Sequence, residues 1–295
     1  MKYLGIDVGG TNIKYGIFNE LGIEDISQIG EVKTINDDLN KFLELIVSII
    51  DKFENLDGVG LSIPGGVDGK TGLIIEGGAV PVLAGINIKE ILYERLGINI
   101  AVENDANCCA LAEKWIGNGV DVENFICVTI GTGIGGGVII NNKLYAGNRF
   151  FVGEFGYMMF NSDEEEIKNS KTTSYHCSTY SLVRQVAEAL NMDKEDLDGK
   201  MIFEMIEKEN QVVIDVYETW VRNLSLAIAN LGFAFDPDKI LIGGGVSSVD
   251  KVINDVRKHV ASINIYSARW KIDNCAYFNN SGKIGAVYNY ICGNI

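Results

Sequence analysis

Asp7-Val8-Gly9-Gly10-Thr11 follows the apolar run Tyr3-Leu4-Gly5-Ile6 and leads into Ile13–Phe18. This order predicts a buried strand, a tight glycine turn and a second strand. A similar turn recurs in the second half of the chain. There, Gly131-Thr132-Gly133-Ile134-Gly135-Gly136-Gly137 follows Phe125-Ile126-Cys127-Val128-Thr129-Ile130 and leads into Val138–Ile140. Glycine tolerates positive φ and lets backbone N–H groups come close to a ligand. Successive N–H groups form a nest whose natural guest is an anion such as phosphate. One such turn alone is more often just a hairpin. Neither matches a GxxxxGKS/T loop, and neither opens a helix as a dinucleotide fingerprint does. The pair together predicts two related α/β units holding one polyphosphate from opposite sides.

The bulk properties narrow the class. A chain of 295 residues suits one large domain or two of ordinary size. The hydrophobic fraction of 47% is that of a globular protein, and 3 prolines argue against a long linker. The formal net charge of −15 disfavours nucleic-acid partners, because phosphate backbones repel it. It does not exclude a small anionic ligand in a local nest. Met1-Lys2-Tyr3 runs straight into a strand, so no secretory leader is expected, and no apolar run nears the ~20 residues of a membrane span. A cytoplasmic protein without membrane partners is therefore expected. Cys108, Cys109, Cys127, Cys177, Cys275 and Cys292 form no CxxC pair and read as buried thiols. His176 and His259 lack ligand spacing, so no structural zinc is expected.

Alternating elements predict sheets covered by helices. Strands are expected at Tyr3–Asp7, Ile13–Phe18, Glu31–Thr34, Gly58–Ile63 and Ile98–Glu103. Helices are expected at Asp38–Phe53, Ile88–Leu96 and Asn107–Ile116. The loop Gly117–Asn124 marks a domain boundary, giving a smaller N-terminal α/β domain over 1–118 and a larger one over 119–283. The terminal helix, within 284–295, is expected to pack back on the first domain. The second half carries an acidic loop at Asp163–Lys168 and helices at Leu182–Leu190, Gly199–Glu207, Gln211–Phe235 and Val249–Val260. Lys239–Ile242 is a strand that ends in Gly243-Gly244-Gly245. Asp7, Pro64-Gly65, Asn104-Asp105, Gly131 and Gly243 all fall at strand ends. Ligands of open α/β sheets sit there, so one cleft between the halves is expected.

Each polar candidate has a chemical reading and a bland one. Asp7 beside a phosphate-type turn needs an intervening cation, so it reads as a Mg²⁺ partner acting through water. It could equally hydrogen-bond its own turn. Thr11 can donate to phosphate, and Lys14 can reach terminal phosphates or stay solvated. Asn104 and Asp105 close a strand and open a helix, where either could simply cap. A carboxylate at that place could also act as general base toward an alcohol. Glu103 alternates away from Asn104 and is left out of the site. Glu154, between Gly153 and Phe155-Gly156-Tyr157, suits sugar hydroxyls or is a surface loop residue. Gly243-Gly244-Gly245 suits close approach of a base or ribose, or merely starts a helix.

Over essentially its whole length the sequence resembles the ROK family of sugar kinases and repressors, within the actin/hexokinase-like ATPases. Asp7-Val8-Gly9-Gly10-Thr11 with Lys14 is similar to the family's first phosphate motif, and Gly131-Thr132-Gly133-Ile134-Gly135-Gly136 to its second. Ile242-Gly243-Gly244-Gly245 is similar to its adenosine motif. Ile63-Pro64-Gly65, Glu103-Asn104-Asp105-Ala106-Asn107 and Gly153-Glu154-Phe155-Gly156 resemble its sugar segments. The resemblance implies a two-domain actin-like (RNase H-like) α/β fold, with mixed sheets flanked by helices and a ligand cleft between domains. It implies transfer of the ATP γ-phosphate, with Mg²⁺, to a hexose 6-hydroxyl. Asp105 would be the base, and Gly65, Asn104 and Glu154 would hold sugar hydroxyls. A homodimer is implied too, since family members often pair. Tyr157 stands where many members have His, and Ser174 stands about where a zinc-loop Glu would be. The family's zinc site therefore looks absent, as in a branch with N-acetylmannosamine and β-glucoside kinases. Losing both side chains is expected to leave room for a substituent on O1 or C2. The family's repressors carry a DNA-reading module before this body. With the first motif at residue 7, none is expected here.

Overall fold

The computed structural model describes residues 1–160 and 171–293. The acidic stretch Asp163–Lys168 lies outside the described residues. The chain divides into two compact units. The first is Met1–Asp121 with Gly137–Val152 and Asn279–Ile295; the second is Val122–Gly136 with Gly153–Phe278.

The first half runs β1 (Tyr3–Val8), β2 (Asn12–Phe18), β3 (Glu24–Lys33), α1 (Leu39–Ile50), β4 (Gly58–Ile63), β5 (Gly66–Asp68), β6 (Leu73–Glu76), α2 (Ile88–Leu96), β7 (Ile100–Asn104) and α3 (Asp105–Ile116). Then come β8 (Phe125–Ile130), β9 (Ile134–Ile140), β10 (Lys143–Leu144), α4 (Thr173–Cys177), α5 (Thr179–Leu190) and α6 (Gly199–Glu207). α7 (Gln211–Phe235), β11 (Lys239–Gly243), α8 (Asp250–Ile263), β12 (Lys271–Asn274) and α9 (Ser281–Ile291) complete the described chain. Several helices start earlier than their apolar pattern does. α3 begins at Asp105 and not Asn107, α5 at Thr179, and α9 at Ser281, because polar residues fill the first turn. β3 is longer than the predicted Glu31–Thr34; its half-exposed alternation of polar and apolar residues hid the first part. The second glycine run also differs from expectation. Only Gly131–Gly133 turns, while Gly135, Gly136 and Gly137 lie inside β9.

In the first unit the strand order is β3-β2-β1-β4-β7. β2 pairs antiparallel with β1 and β3, while β1, β4 and β7 run parallel, so the sheet is mixed. Leu4, Ile6, Val8, Val59, Leu61 and Ile63 form one core cluster with Phe42, Leu43, Ile46, Ile49 and Ile50 of α1. A helix of 12 residues is marginal alone. Each of those buried side chains contributes roughly 1.5–3 kcal/mol, which is what holds α1 in place.

Alternation puts Gly5, Gly58 and Gly60 on the opposite face, and the parallel register sets Gly5 beside Gly60. α9 lies directly on that glycine face. A Cβ at Gly60 would run into the Ala286 carbonyl, one at Gly5 into the Lys283 carbonyl, and one at Gly58 into the Tyr290 ring. On the helix's other side, a Cβ at Gly285 would strike the Cys108 carbonyl of α3. Lys283, almost wholly buried, forms an ion pair with Glu24 of β3.

The second sheet has the order β10-β9-β8-β11-β12, with β8, β11 and β12 parallel. The boundary between the units falls within β9. In the second unit, α7 buries Val213, Tyr217, Trp220, Leu224, Ile228 and Leu231, the face expected from its spacing. Its polar atoms are satisfied as they enter the core: Trp220 Nε1 donates to the Ser178 carbonyl at 3.0 Å and Tyr217 OH to Asp255 at 2.8 Å. Five cysteines are buried thiols; Cys292, expected to be buried, is exposed at the end of α9. Among the described residues, no helix is long and apolar enough to cross a membrane.

The glycine face yields a direct test. Gly60→Ala should lower the unfolding free energy by about 1–3 kcal/mol, because backbone, and not a movable side chain, meets the new methyl. Gly245→Ala, whose methyl meets no atom within 4 Å, should stay within about 0.5 kcal/mol. Guanidinium titration of the two variants beside the parent protein measures both.

Candidate active site

Asp7 is the next residue along β1 on the face that Gly5 opens, and Ser62 is its partner on β4. Ser62 Oγ donates to Asp7 Oδ1 at 2.7 Å. The carboxylate abuts Gly282 in the first turn of α9, where a Cβ would displace it. Burial pushes its pKa up, while the Ser62 hydrogen bond and the charges of Lys14 and Lys283 pull it down. Lys14 lies opposite Asp7 in the β1–β2 register, hence on the same face. Asp7 forms no ion pair among the described residues, and of its two carboxylate oxygens only Oδ1 accepts a hydrogen bond there. That donor set fits a Mg²⁺ held through water.

The turn after β1 is fixed by its carbonyls. Gly9 N–H donates to the Asn12 carbonyl at 3.0 Å, Thr34 Oγ1 donates to the Gly9 carbonyl at 2.6 Å, and Thr34 N–H donates to the Thr11 carbonyl at 2.9 Å. The N–H groups of Gly10 and Thr11 donate to no group among the described residues. A turn pinned through its acceptors, with donors left over, is what an anion nest requires.

A second network surrounds the end of β7. Asn104 does cap α3: its Oδ1 accepts the N–H of Ala106 at 2.9 Å and of Asn107 at 3.0 Å. Its amide group then donates to the Gly65 carbonyl at 2.8 Å and to Asp105 Oδ1 at 3.0 Å. Asp105 Oδ1 also accepts the Ala106 N–H at 2.8 Å, and the residue is exposed. Gly65 takes φ 94°, which lets its backbone pass close to Glu76 and Gly78. Gly77-Gly78-Ala79 was not singled out from sequence, yet it joins the two networks. A Cβ on Gly78 would lie 2.9 Å from the Gly65 nitrogen, and one on Gly10 would lie 2.8 Å from the Ala79 methyl. The first unit thus gathers Asp7, Gly9, Gly10, Thr11, Lys14, Gly65, Asn104 and Asp105.

Glu103 belongs to this network although alternation alone excluded it. It is 4% exposed, and its Oε1 accepts the Asn104 N–H and Asn107 Nδ2, both at 2.9 Å. Burial pushes its pKa up to about 7. A carboxyl one residue before an Asn cap and four before a second Asn was the available signal.

The second unit holds the remaining candidates. The Gly131 N–H closes on the Gly133 carbonyl at 2.9 Å, while Thr132 and Gly133 N–H donate to no described group. Gly131, Thr132 and Gly133 are exposed. Gly244 takes φ 88° and a Cβ there would strike the Ile130 carbonyl, so the turn after β11 lies against the end of β8. Gly243 ends β11, and Gly245 opens a 3-10 turn with free space above it. Glu154 is half-buried ahead of another 3-10 turn, and Tyr157 is 70% exposed.

A sequence profile of the ROK family matches residues 3–290. The chain belongs to the ROK family. Among ROK relatives, the β-glucoside kinase of Listeria monocytogenes is 35% identical over 99% of this chain and 98% of its own. The N-acetyl-D-glucosamine kinase of Haemophilus influenzae is 32% identical over 84% of this chain and 85% of its own. A ROK family protein from Streptococcus pneumoniae in complex with sucrose superposes with a TM-score of 0.88 and 31% identity, covering 99% and 98% of the two chains. A ROK glucokinase from Streptomyces griseus, solved with glucose and AMPPNP, gives a TM-score of 0.82 at 26% identity, covering 97% and 98%. The architecture is the actin-like ATPase fold expected from the ROK resemblance, with mixed sheets flanked by helices.

Glu103 predicts a pH dependence. The folded state holds its proton more tightly than the unfolded chain, whose value is near 4.5. The stability this gives is whole below that value and is lost as pH rises through about 7. Wild type should therefore lose stability relative to Glu103→Gln between about pH 5 and pH 8. Urea titrations at both pH values measure it; parallel curves would remove Glu103 as the cause.

Proposed function

We propose that this chain is an ATP- and Mg²⁺-dependent sugar kinase that phosphorylates the 6-hydroxyl of a hexose, with β-glucosides as its preferred substrates. The observation that carries the reading is Asp105. It is an exposed carboxylate at the first turn of α3, held by Asn104 and Ala106, in the same unit as a turn with unengaged N–H groups. Asp105 would accept the proton of the 6-hydroxyl as that oxygen attacks the γ-phosphorus. The new P–O bond forms as the bond to the β–γ bridging oxygen breaks, and ADP leaves with that oxygen.

The glycine turns supply the phosphate contacts. Gly9, Gly10, Thr11 and Lys14 would meet the triphosphate from one motif, and Gly131, Thr132 and Gly133 from the other. Gly243, Gly244 and Gly245 would lie along the nucleoside. When bound, Mg²⁺ neutralises charge on the transferring phosphoryl oxygens; Asp7 would hold its water shell. Gly65, Asn104, Glu154 and Tyr157 would face the sugar.

Two features favour a glycoside over a free hexose. The β-glucoside kinases are similar over nearly the full length. The Phe151 ring, 49% exposed, covers Gly66 next to Gly65, and offers an apolar surface to a substituent on the sugar.

Asp105→Asn should lower kcat by about 10²–10⁴-fold while sugar binding, read by calorimetry, stays near wild type. Near-normal turnover would take the base role from Asp105. A coupled ADP-release assay with glucose, cellobiose, a second β-glucoside and N-acetylmannosamine tests the substrate. A higher kcat/KM for free glucose than for the β-glucosides would overturn that part.

A further inference from the structure

Ser174 lies in the first turn of α4, in the second unit, and its hydroxyl is lodged between two segments. It accepts the Ile134 N–H at 2.9 Å, just after the Gly131–Gly133 turn. It also fills the space over Gly156, where a Cβ would collide with both Ser174 Oγ and the Ile134 carbonyl. A Cβ at Gly133 would lie 3.3 Å from the same oxygen. The β8–β9 turn, the segment around Gly156 and α4 therefore meet at one hydroxyl.

Neighbouring residues grip the turn from the same side. Thr179 N–H donates to the Gly131 carbonyl at 3.0 Å, and Thr179 Oγ1 to the Ile130 carbonyl at 3.3 Å. α4 and α5 are themselves anchored to the core. Trp220 Nε1 donates to the Ser178 carbonyl, and Ser181 Oγ to the Tyr175 carbonyl at 2.5 Å. The clamp takes the Ile130 and Gly131 carbonyls and the Ile134 N–H, and leaves Thr132 and Gly133 N–H unengaged among the described residues.

We propose that Ser174 is a positioning residue for the second phosphate turn: its hydroxyl, committed to Ile134, holds the Thr132 and Gly133 amides in the shape that binds the nucleotide's phosphates. Ser174 on this account serves the phosphoryl donor and is not a sugar ligand. The inference rests on the kinase reading above. It concerns only the donor side of that reaction.

Ser174→Ala removes the acceptor. Ser174→Cys keeps the size with a weak acceptor and guards against a folding defect. Ser174→Thr keeps the hydroxyl. In Ala and Cys variants the Ile134 amide should exchange hydrogen about five- to tenfold faster, the loss of one modest hydrogen bond. The KM for ATP should rise by a similar factor, while the sugar KM stays within about twofold. The Thr variant should recover both.

Three results would overturn the inference: unchanged Ile134 exchange, faster exchange with an unaltered KM for ATP, or a rise confined to the sugar KM. Each leaves the kinase reading standing, provided wild type turns over. A wild-type protein that releases no ADP with any sugar would sink the kinase reading, and with it the role of Ser174. The exchange rates still report the tether in that case.

Discussion

The contact between α9 and the glycine face of the first sheet is the constraint on which the geometry of the candidate site depends. Gly5, Gly58 and Gly60 lie on the face opposite the core cluster, and their missing side chains let the helix backbone rest on the strands. The same alternation carries on to Asp7 and Ser62. Where the strands stop being glycine, they place a carboxylate and a hydroxyl against the first turn of that helix. A helix N-terminus favours negative charge nearby, which helps keep a buried Asp usable as an anion. Packing and chemistry are thus two stretches of one alternating pattern.

The proposed base is arranged by a different principle. Asn104 ends a strand, caps a helix and reaches Gly65, so one side chain fixes three backbones. Asp105 inherits its orientation from that cap. Glu103 sits beneath, accepting from Asn104 and Asn107. Preorganisation of this kind lowers the cost of assembling a reactive geometry, because the groups need not be ordered when substrate arrives. On the second unit a comparable economy holds: the Gly131 carbonyl is taken by Thr179 and the Gly133 carbonyl by the Gly131 N–H, while the Thr132 and Gly133 N–H groups are spared.

Local signals were read well where periodicity runs long. The bounds of α6 and α7 match their patterns, and the buried face of α7 is the one its spacing marks. The two glycine turns, Asn104-Asp105 and the family were legible because each is a contiguous motif. Short elements were missed. β12, with the sequence Lys271-Ile272-Asp273-Asn274, and the β5–β6 hairpin have too few apolar positions to show a period. Gly135–Gly137 looked like turn and are strand; β9 needs glycine at 136 where it passes Cys127 and Phe155, and at 137 where it passes Ala110. Gly77-Gly78-Ala79 and Ser174 act through partners distant in sequence, which no local window contains; Glu103 has its partners close by, at Asn104 and Asn107, but alternation does not show its burial. Ser174 in particular reads from sequence as a missing carboxylate; in the structure its hydroxyl has a partner of its own.

The first unit takes residues from both ends of the described chain. During synthesis its strands emerge long before the helix that covers their glycine face. Until then the glycine face has no cover, and Glu24 awaits Lys283. Domains usually form in the order in which they leave the ribosome. Here the second unit can close before the first, so a truncation that removes only the final helix should leave the earlier half open to chaperones and proteases.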